Sequence, residues 1–389
     1  MSAGAAARAA AGAAAGTATE PGASQERSRF RIGLALLLVI LVVLVSLADY
    51  GTGSQIEIDF FYLVPIAAAT WFVSLPTGLV LAIASTAGWI VADLASGKFY
   101  AQPTILYWNA AVELGFFATV AITLGLAKRA RDHEHALLRQ LETAYRTLDN
   151  EMRAVGDIQR SLLPAELPRV EGYRFAVHYS TSTRAGGDYY DFFPLAGGGM
   201  SLLLADVSGH GTPAAVVMSM MRALLHTSPD PIAPPDQVLV RLNAQLGHNI
   251  LLGQFVTACC ATLEPGTGRL SYALAGHNPP FLVRGRTGEV IELANRDGPP
   301  LGIFDGPTFN CEECTLEPGD TLLLYTDGLT EAADPADEFF GTERVREILR
   351  AQRGADAPAL RDRMIEALGC HTGGAPMADD LTLLVVRAE

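Results

Sequence analysis

The chain has no surplus of basic residues. Its 28 Lys and Arg stand against 42 Asp and Glu, a formal net charge of −14. Binding nucleic acid needs basic surface to displace counterions from the phosphate backbone, so nucleic acid is excluded as a partner. Cysteines are also few. The five (Cys259, Cys260, Cys311, Cys314 and Cys370) make no even framework. That excludes a disulfide-stapled fold and fits reduced thiols in a cytoplasmic domain. Cys311 and Cys314 form a lone CxxC without a second pair, a weak basis for zinc. No glycine-rich ATP-binding boxes follow the apolar first third, which argues against a histidine kinase.

Two long stretches lack charge altogether. Ile32 to Ala48 and Phe60 to Ala92 contain no ionisable residue of either sign. The second is too long for one span of about 20 residues. Ser74-Leu75-Pro76-Thr77-Gly78 breaks it, because Pro and Gly together favour a turn. A further apolar run covers Thr104 to Ala127. Four membrane helices are therefore expected over residues 30–127, and a buried soluble bundle would not need so much uncharged sequence. Arg27, Arg29 and Arg31 precede the first span, and Lys128, Arg129 and Arg131 follow the last. Asp49, Glu57 and Asp59 lie in the first loop. The positive-inside rule puts both termini in the cytoplasm of a multi-pass protein of the plasma membrane. Glu113 lies inside the last span. It reads either as a functional intramembrane carboxylate or as a protonated one bonded to a nearby Tyr or Trp.

The rest of the first half reads by composition. Residues 1–29 are Ala-rich with few large apolar side chains, too few to fold alone, so a disordered tail is expected there rather than a signal peptide. Residues 128–164 are charged and helical in pattern. Leu138, Leu141, Tyr145, Leu148, Met152, Val155 and Leu162 fall on a and d positions, with Gln159 as a polar interruption. This stripe predicts a parallel coiled coil, hence a homodimer, in preference to a helix packed on its own domain. Pro164 ends it.

Residues 165–389 read as α+β. Strand-like runs include Tyr173–Tyr179, Ser201–Val207, Phe255–Leu263, Leu270–Leu274, Thr321–Tyr325 and Leu381–Arg387. Helical runs are Thr212–His226, Pro235–Ile250, Thr342–Gln352 and Ala357–Leu368. Strands mostly follow strands directly, so antiparallel sheet is favoured. Four acids sit at the ends of such runs: Asp188 in AGGDYYD, Asp206 in LLLADVSGHG, Asp327 in LLLYTDGLTEA and Asp379 in MADDLTLLVV. One Asp-Gly alone is usually just a turn. Four strand-end carboxylates with no cluster of Lys or Arg beside them are another matter. Ionised acids there are costly unless neutralised, and an oxygen-only set suits Mg²⁺ or Mn²⁺. A pair of such ions is a device for attacking phosphorus with water.

Seven spaced motifs agree on one family: QRSLLP (159–164), AGGDYYDF (185–192), LADVSGHG (204–211), AGHNPP (275–280), GPPLGI (298–303), YTDGLTEA (325–332) and DDLTLLVV (379–386). Over Gln159 to Arg387 the chain resembles the bacterial, SpoIIE/RsbU-like branch of the metal-dependent PPM-type serine/threonine phosphatases. The resemblance implies a sandwich of two antiparallel β-sheets flanked by helices. It implies two Mn²⁺ or Mg²⁺ ions held by Asp188, Asp206, Asp327 and Asp379, with the Val207 carbonyl as a further ligand and Asp206 bridging. Asp380 is the nearest competitor of Asp379. It further implies water attacking a phosphoserine of a regulatory protein, an anti-sigma-factor antagonist in this branch, without a phosphoenzyme. Two departures stand out. Ser208 occupies the place of a His proposed elsewhere as general acid, with His210 displaced. Arg184 lies near, but not at, the spacing of a phosphate-binding Arg. Gly186 and Gly187 allow the backbone close to the site, Gly209 and Gly211 open a turn, and His277 structures a hairpin. The free N–H groups at the start of the helix from Thr212 suit an anion. The rivals are a catalytically silent phosphoprotein sensor, which would not keep all four acids, and a cyclic-nucleotide synthase suggested by GGDYY, whose expected acid is replaced by Tyr189.

Overall fold

The computed structural model describes residues 21–52, 58–97, 102–195, 197–227, 234–247, 249–250, 253–294 and 298–389. Two compact units divide the chain between Ala144 and Tyr145.

The first unit is helical. Helix α1 covers Pro21–Thr52. Residues 21–29 are thus the start of a helix rather than the end of a disordered tail; the remainder of the expected tail lies outside the described residues. An apolar helix, α2, covers Asp59–Val73, opening in a 3-10 turn and closing in a π turn. Helix α3 covers Leu75–Ala95 and α4 covers Pro103–Leu162. The break between α2 and α3 falls at Ser74, which is extended (φ −166°, ψ 158°) and caps α3 through its side chain. Pro at the first turn of α3 fits there because that N–H needs no helical partner. Among the described residues three helices, not four, are long and apolar enough to cross a membrane: Ser28–Thr52, Leu75–Ala95 and Thr104–Leu162. At 1.5 Å per residue α2 is about 22 Å long, short of a ~30 Å hydrocarbon layer. Leu38, Val42, Tyr62, Ile66, Leu81, Trp89 and Phe117 form the buried core of this unit.

The second unit is a two-sheet sandwich. One sheet runs β1 (Tyr173–Ser180), β10 (Leu381–Ala388), β9 (Thr321–Tyr325), β6 (Phe281–Val283), β7 (Val290–Glu292). The other runs β2 (Tyr189–Pro194), β3 (Met200–Val207), β4 (Val256–Glu264), β5 (Arg269–Ala275), β8 (Glu312–Thr315). Among the described residues every pairing between these strands is antiparallel. The strands at the centre of both sheets are apolar on both faces because each face is covered. In β9 and β10, Leu322, Leu324, Leu384 and Val386 point between the sheets, whereas Leu323, Tyr325, Leu383 and Val385 point out under helices α7 (Gly341–Ala351) and α8 (Ala357–Thr372). This is the period-two alternation of a strand with two buried sides. Helices α5 (Thr212–Thr227) and α6 (Pro235–Leu246) cover the other sheet. Helix α6 stops at Leu246, short of the expected Ile250.

Helix α4 ends at Leu162, next to Pro164, which cannot continue it. Its upper stripe is bare: Leu141, Tyr145 and Leu148 are exposed in the single chain. The end of the stripe is not. Gln159 is buried and turned into its own domain. Gln159, expected at a core position of the coiled coil, instead pairs its amide with the backbone of Gly186 in its own domain.

Candidate active site

The strand register brings the four acids to one end of the sandwich. Tyr189 pairs with Ala205, so Asp188, one residue before β2, and Asp206, near the end of β3, are neighbours. Tyr325 pairs with Leu383, so Asp327 just after β9 and Asp379 just before β10 lie at the same edge of the other sheet. Each sheet contributes two acids.

Asp188 is fully buried. Its Oδ2 accepts hydrogen bonds from the Thr326 hydroxyl (2.9 Å) and the Thr382 hydroxyl (2.6 Å), both on the opposite sheet. Its Oδ1 has no partner. Burial pushes the Asp188 pKa well above the usual carboxylate range, opposed by the Thr382 hydrogen bond and reinforced by the charge of Asp380. Asp206 is pushed up to about 9, first by burial and then by Asp188, Asp327, Asp379 and Asp380. Asp327 is pushed up to about 6 by burial and by Asp379 and Glu331. Among the described residues no Lys or Arg forms an ion pair with Asp206, and the largest influences on it are burial and other acids. A buried acid surrounded by four others stays ionised only if something positive joins them.

The adjacent acids Asp379 and Asp380 have different work. Asp380 is buried, with Oδ1 accepting from the Ser182 backbone N–H (2.8 Å) and hydroxyl (3.2 Å), and Oδ2 accepting from the Gly187 N–H (2.6 Å). It ties the 182–187 loop to β10. The Asp379 Oδ1 accepts only from the N–H of Asp380 (2.8 Å), which leaves its other oxygen free for the site.

Backbone geometry shapes the rest. A Cβ on Gly187 would lie 2.6 Å from the carbonyl oxygen of Val207, so only glycine lets the loop back onto that strand. Gly209 and Gly211 have φ of 84° and 78°, the left-handed region that favours glycine, and α5 begins immediately after them. Ser208 is structural: its hydroxyl accepts from the Phe255 N–H (2.9 Å). His210 is exposed in the turn. Arg184 is half-exposed and paired with Asp149 at 2.9 Å rather than with one of the four acids. His277 is buried beside the Thr257 hydroxyl (3.0 Å), and Thr257 faces Asp206 across the β3–β4 ladder. Burial pushes His277 down to about 4, so it is neutral at pH 7.

Sequence reasoning missed the supporting residues. Gln159 donates from Nε2 to the Gly186 carbonyl (2.6 Å) and accepts at Oε1 from the Gly186 N–H (2.9 Å). Thr326 and Thr382 were present within the YTDG and DDLT motifs, but nothing local links them to Asp188.

The donor set fits hard divalent cations: carboxylates from both sheets, an unpartnered buried oxygen on Asp188, and a carbonyl at Val207. Among the described residues no three acidic, His or Cys side chains are gathered into a ready-made ligand set.

Residues 196–389 match the family model described as Stage II sporulation protein E (SpoIIE). The sandwich is a SpoIIE/RsbU-like PPM phosphatase domain, the matched segment covering most of it. The chain is 28% identical to protein IcfG of Synechocystis sp. over 59% of its own length and 40% of that protein, so it spans less than half of that relative. It is 27% identical to the phosphoserine phosphatase RsbU of Bacillus subtilis over 71% of its length and 79% of RsbU, and is a homologue of that enzyme. The fold matches the SiaA-PP2C domain of Pseudomonas aeruginosa with a TM-score of 0.56 at 24% identity, covering 63% of this chain and 99% of that domain.

Proposed function

We propose that the protein is a membrane-anchored, metal-dependent phosphatase that removes phosphate from phosphoserine or phosphothreonine on a regulatory protein. The observation that carries this reading is that strand register brings Asp188, Asp206, Asp327 and Asp379 from two sheets to one end of the sandwich, with no ion pair to Asp206 among the described residues. These four, with the Val207 carbonyl, would hold two Mn²⁺ or Mg²⁺ ions. When bound, such ions supply a water activated near neutral pH and neutralise the phosphoryl oxygens. Thr326 and Thr382 fix the orientation of Asp188. Asp380 and Gln159 hold the loop that presents Asp188 and Gly187. By likeness to the PPM class, attack would be direct and in line, without a phosphoenzyme.

The substrate is a phosphorylated protein, of the anti-sigma-factor-antagonist class by likeness to RsbU. A catalytically silent phosphoprotein sensor is the alternative, and the retention of all four acids speaks against it. The purified full-length protein is expected to release phosphate from a phosphoserine protein with Mn²⁺ and to stop when a chelator is added. Binding without release under both conditions would leave only the silent sensor.

The three long apolar helices anchor the chain in the membrane. Flanking arginines and lysines at both ends keep both termini inside, which requires α2 to complete a fourth crossing. A reporter enzyme fused after Glu389 is expected to show cytoplasmic activity. Activity on the outer side would mean that α2 does not cross. The bare stripe of Leu141, Tyr145 and Leu148 is where a second copy would pair.

A further inference from the structure

Beside the acid cluster lies a recess of the opposite character. About 340 Å³ in volume, it is lined by Arg153, Arg160, Arg184, Tyr179, Thr181 and Thr183, together with Gly156, Asp157 and Gln159 of α4. Three arginines converge here in a chain with a net charge of −14. Their charge is only partly matched. Arg153 and Arg184 share one acid, Asp149, at 2.8 Å and 2.9 Å. Arg160 has no ion pair among the described residues, and its charge acts on Tyr179. The Tyr179 hydroxyl is buried without a hydrogen-bond partner. The floor of the recess and the edge of the acid site are one segment: Tyr179, Thr181, Thr183 and Arg184 line the recess, and the same stretch continues through Gly187 to Asp188. Tyr179 feels the charges of both Asp188 and Asp380.

We infer that this recess binds an acidic side chain of the protein substrate a few residues from its phosphorylated serine, so that α4 supplies part of the substrate site. The inference rests on the phosphatase reading above and extends it to sequence preference. Guanidinium groups suit carboxylates through paired N–H donors, while threonine hydroxyls and a tyrosine hydroxyl complete the polar lining. Tyr179 lines the recess and feels the charges of Asp188 and Asp380, so a residue flanking the phosphoserine is the part of an extended substrate that would meet it.

The test uses full-length protein in detergent and two peptides that differ only in having Glu or Gln at the positions flanking a phosphoserine. The readout is the ratio of kcat/KM for the two peptides on each protein, which cancels any loss of folding or metal occupancy. The wild type is expected to favour the Glu peptide by about fivefold or more, mostly through KM, since a part-exposed ion pair reaches about that factor. The preference should decline as salt is raised. Arg160→Gln should remove most of it, Arg160→Lys should keep part, and Arg160→Glu should turn it towards a Lys-flanked peptide. A ratio near one in the wild type, or a ratio that the Arg160 variants leave in place, overturns the inference. So does an effect of inorganic phosphate on p-nitrophenyl phosphate turnover that Arg160→Gln removes while the peptide ratio stays near one, which would make the recess an effector site. If the wild type hydrolyses neither peptide nor p-nitrophenyl phosphate, the phosphatase reading itself falls, and the substrate recess with it.

Discussion

Asp206→Asn is expected to bring Mn²⁺-dependent hydrolysis of a phosphoserine substrate below about 1% of the wild-type rate. Asn keeps the shape of the side chain and removes the charge on which the acids of both sheets converge. Asp327→Asn should do the same. Asp206 has a second signature that does not depend on turnover. Without metal its pKa is raised to about 9 by burial and by neighbouring acids. The unfolded chain, with an ordinary aspartate there, releases this proton near pH 4, whereas the folded chain holds it up to about pH 9. Between those limits the unfolded state binds fewer protons, so the metal-free protein loses stability as pH rises. Asn cannot ionise, so Asp206→Asn should flatten this decline. In chelator at pH 8 its Tm should equal or exceed that of the wild type. Mn²⁺ should raise the wild-type Tm, as a ligand of the folded state does, and leave the variant near its metal-free value. Normal turnover in either variant, or an equal Mn²⁺ shift of Tm in both, would remove these acids from the site.

Much of this was open to reading in the sequence because the signals are local. The strands of the sandwich announce themselves as short apolar runs. The acids stand out because each sits where a run ends, and the antiparallel order of the runs already limits how they can meet. What stayed hidden depends on long-range partners. Asp379 and Asp380 are adjacent and chemically alike. Only the fold shows Asp380 committed to Ser182 and Gly187, some two hundred positions earlier in the chain. Gln159 falls on a heptad core position, and periodicity cannot reveal that its amide meets Gly186 instead of a partner helix. Arg153 and Arg160 read as ordinary charges on a solvated helix until the loop with Thr181 and Arg184 closes over them. In the apolar half, hydropathy located the break at Ser74. It also bounded the segment before the break, from Asp59 to Ser74, but did not show that this helix is too short by length and composition to count as a span.

Gln159→Leu is expected to weaken the site from a distance. The Gln159 amide fills both backbone groups of Gly186, two residues before Asp188. Leucine has similar volume but neither donor nor acceptor. It leaves a buried N–H and a buried carbonyl unpaired, at about 1–3 kcal/mol each. The 182–188 loop remains tethered by Asp380 at Ser182 and Gly187, so the domain should fold while Asp188 loses its fixed position. The expected result is an Mn²⁺ requirement raised about tenfold, which corresponds to ~1.4 kcal/mol of lost preorganisation, with a smaller change in rate at saturating metal. Gln159→Glu should also fail, because its carboxylate accepts from the Gly186 N–H but repels the Gly186 carbonyl. The same contact gives the helix a means of control. One turn earlier, a Cβ on Gly156 would lie 1.9 Å from the Arg184 carbonyl oxygen, so α4 touches the loop at two points with a fixed angle between them. One residue inserted between Gly156 and Gln159 rotates one contact against the other by about 100°, and both cannot be kept. Duplicating the heptad 153–159 restores a Gly and a Gln at the same spacing next to the domain. The single insertion should therefore reproduce the raised Mn²⁺ requirement of Gln159→Leu, and the heptad duplication should stay close to the parent. Equal metal dependence in all three proteins would reduce α4 to a tether.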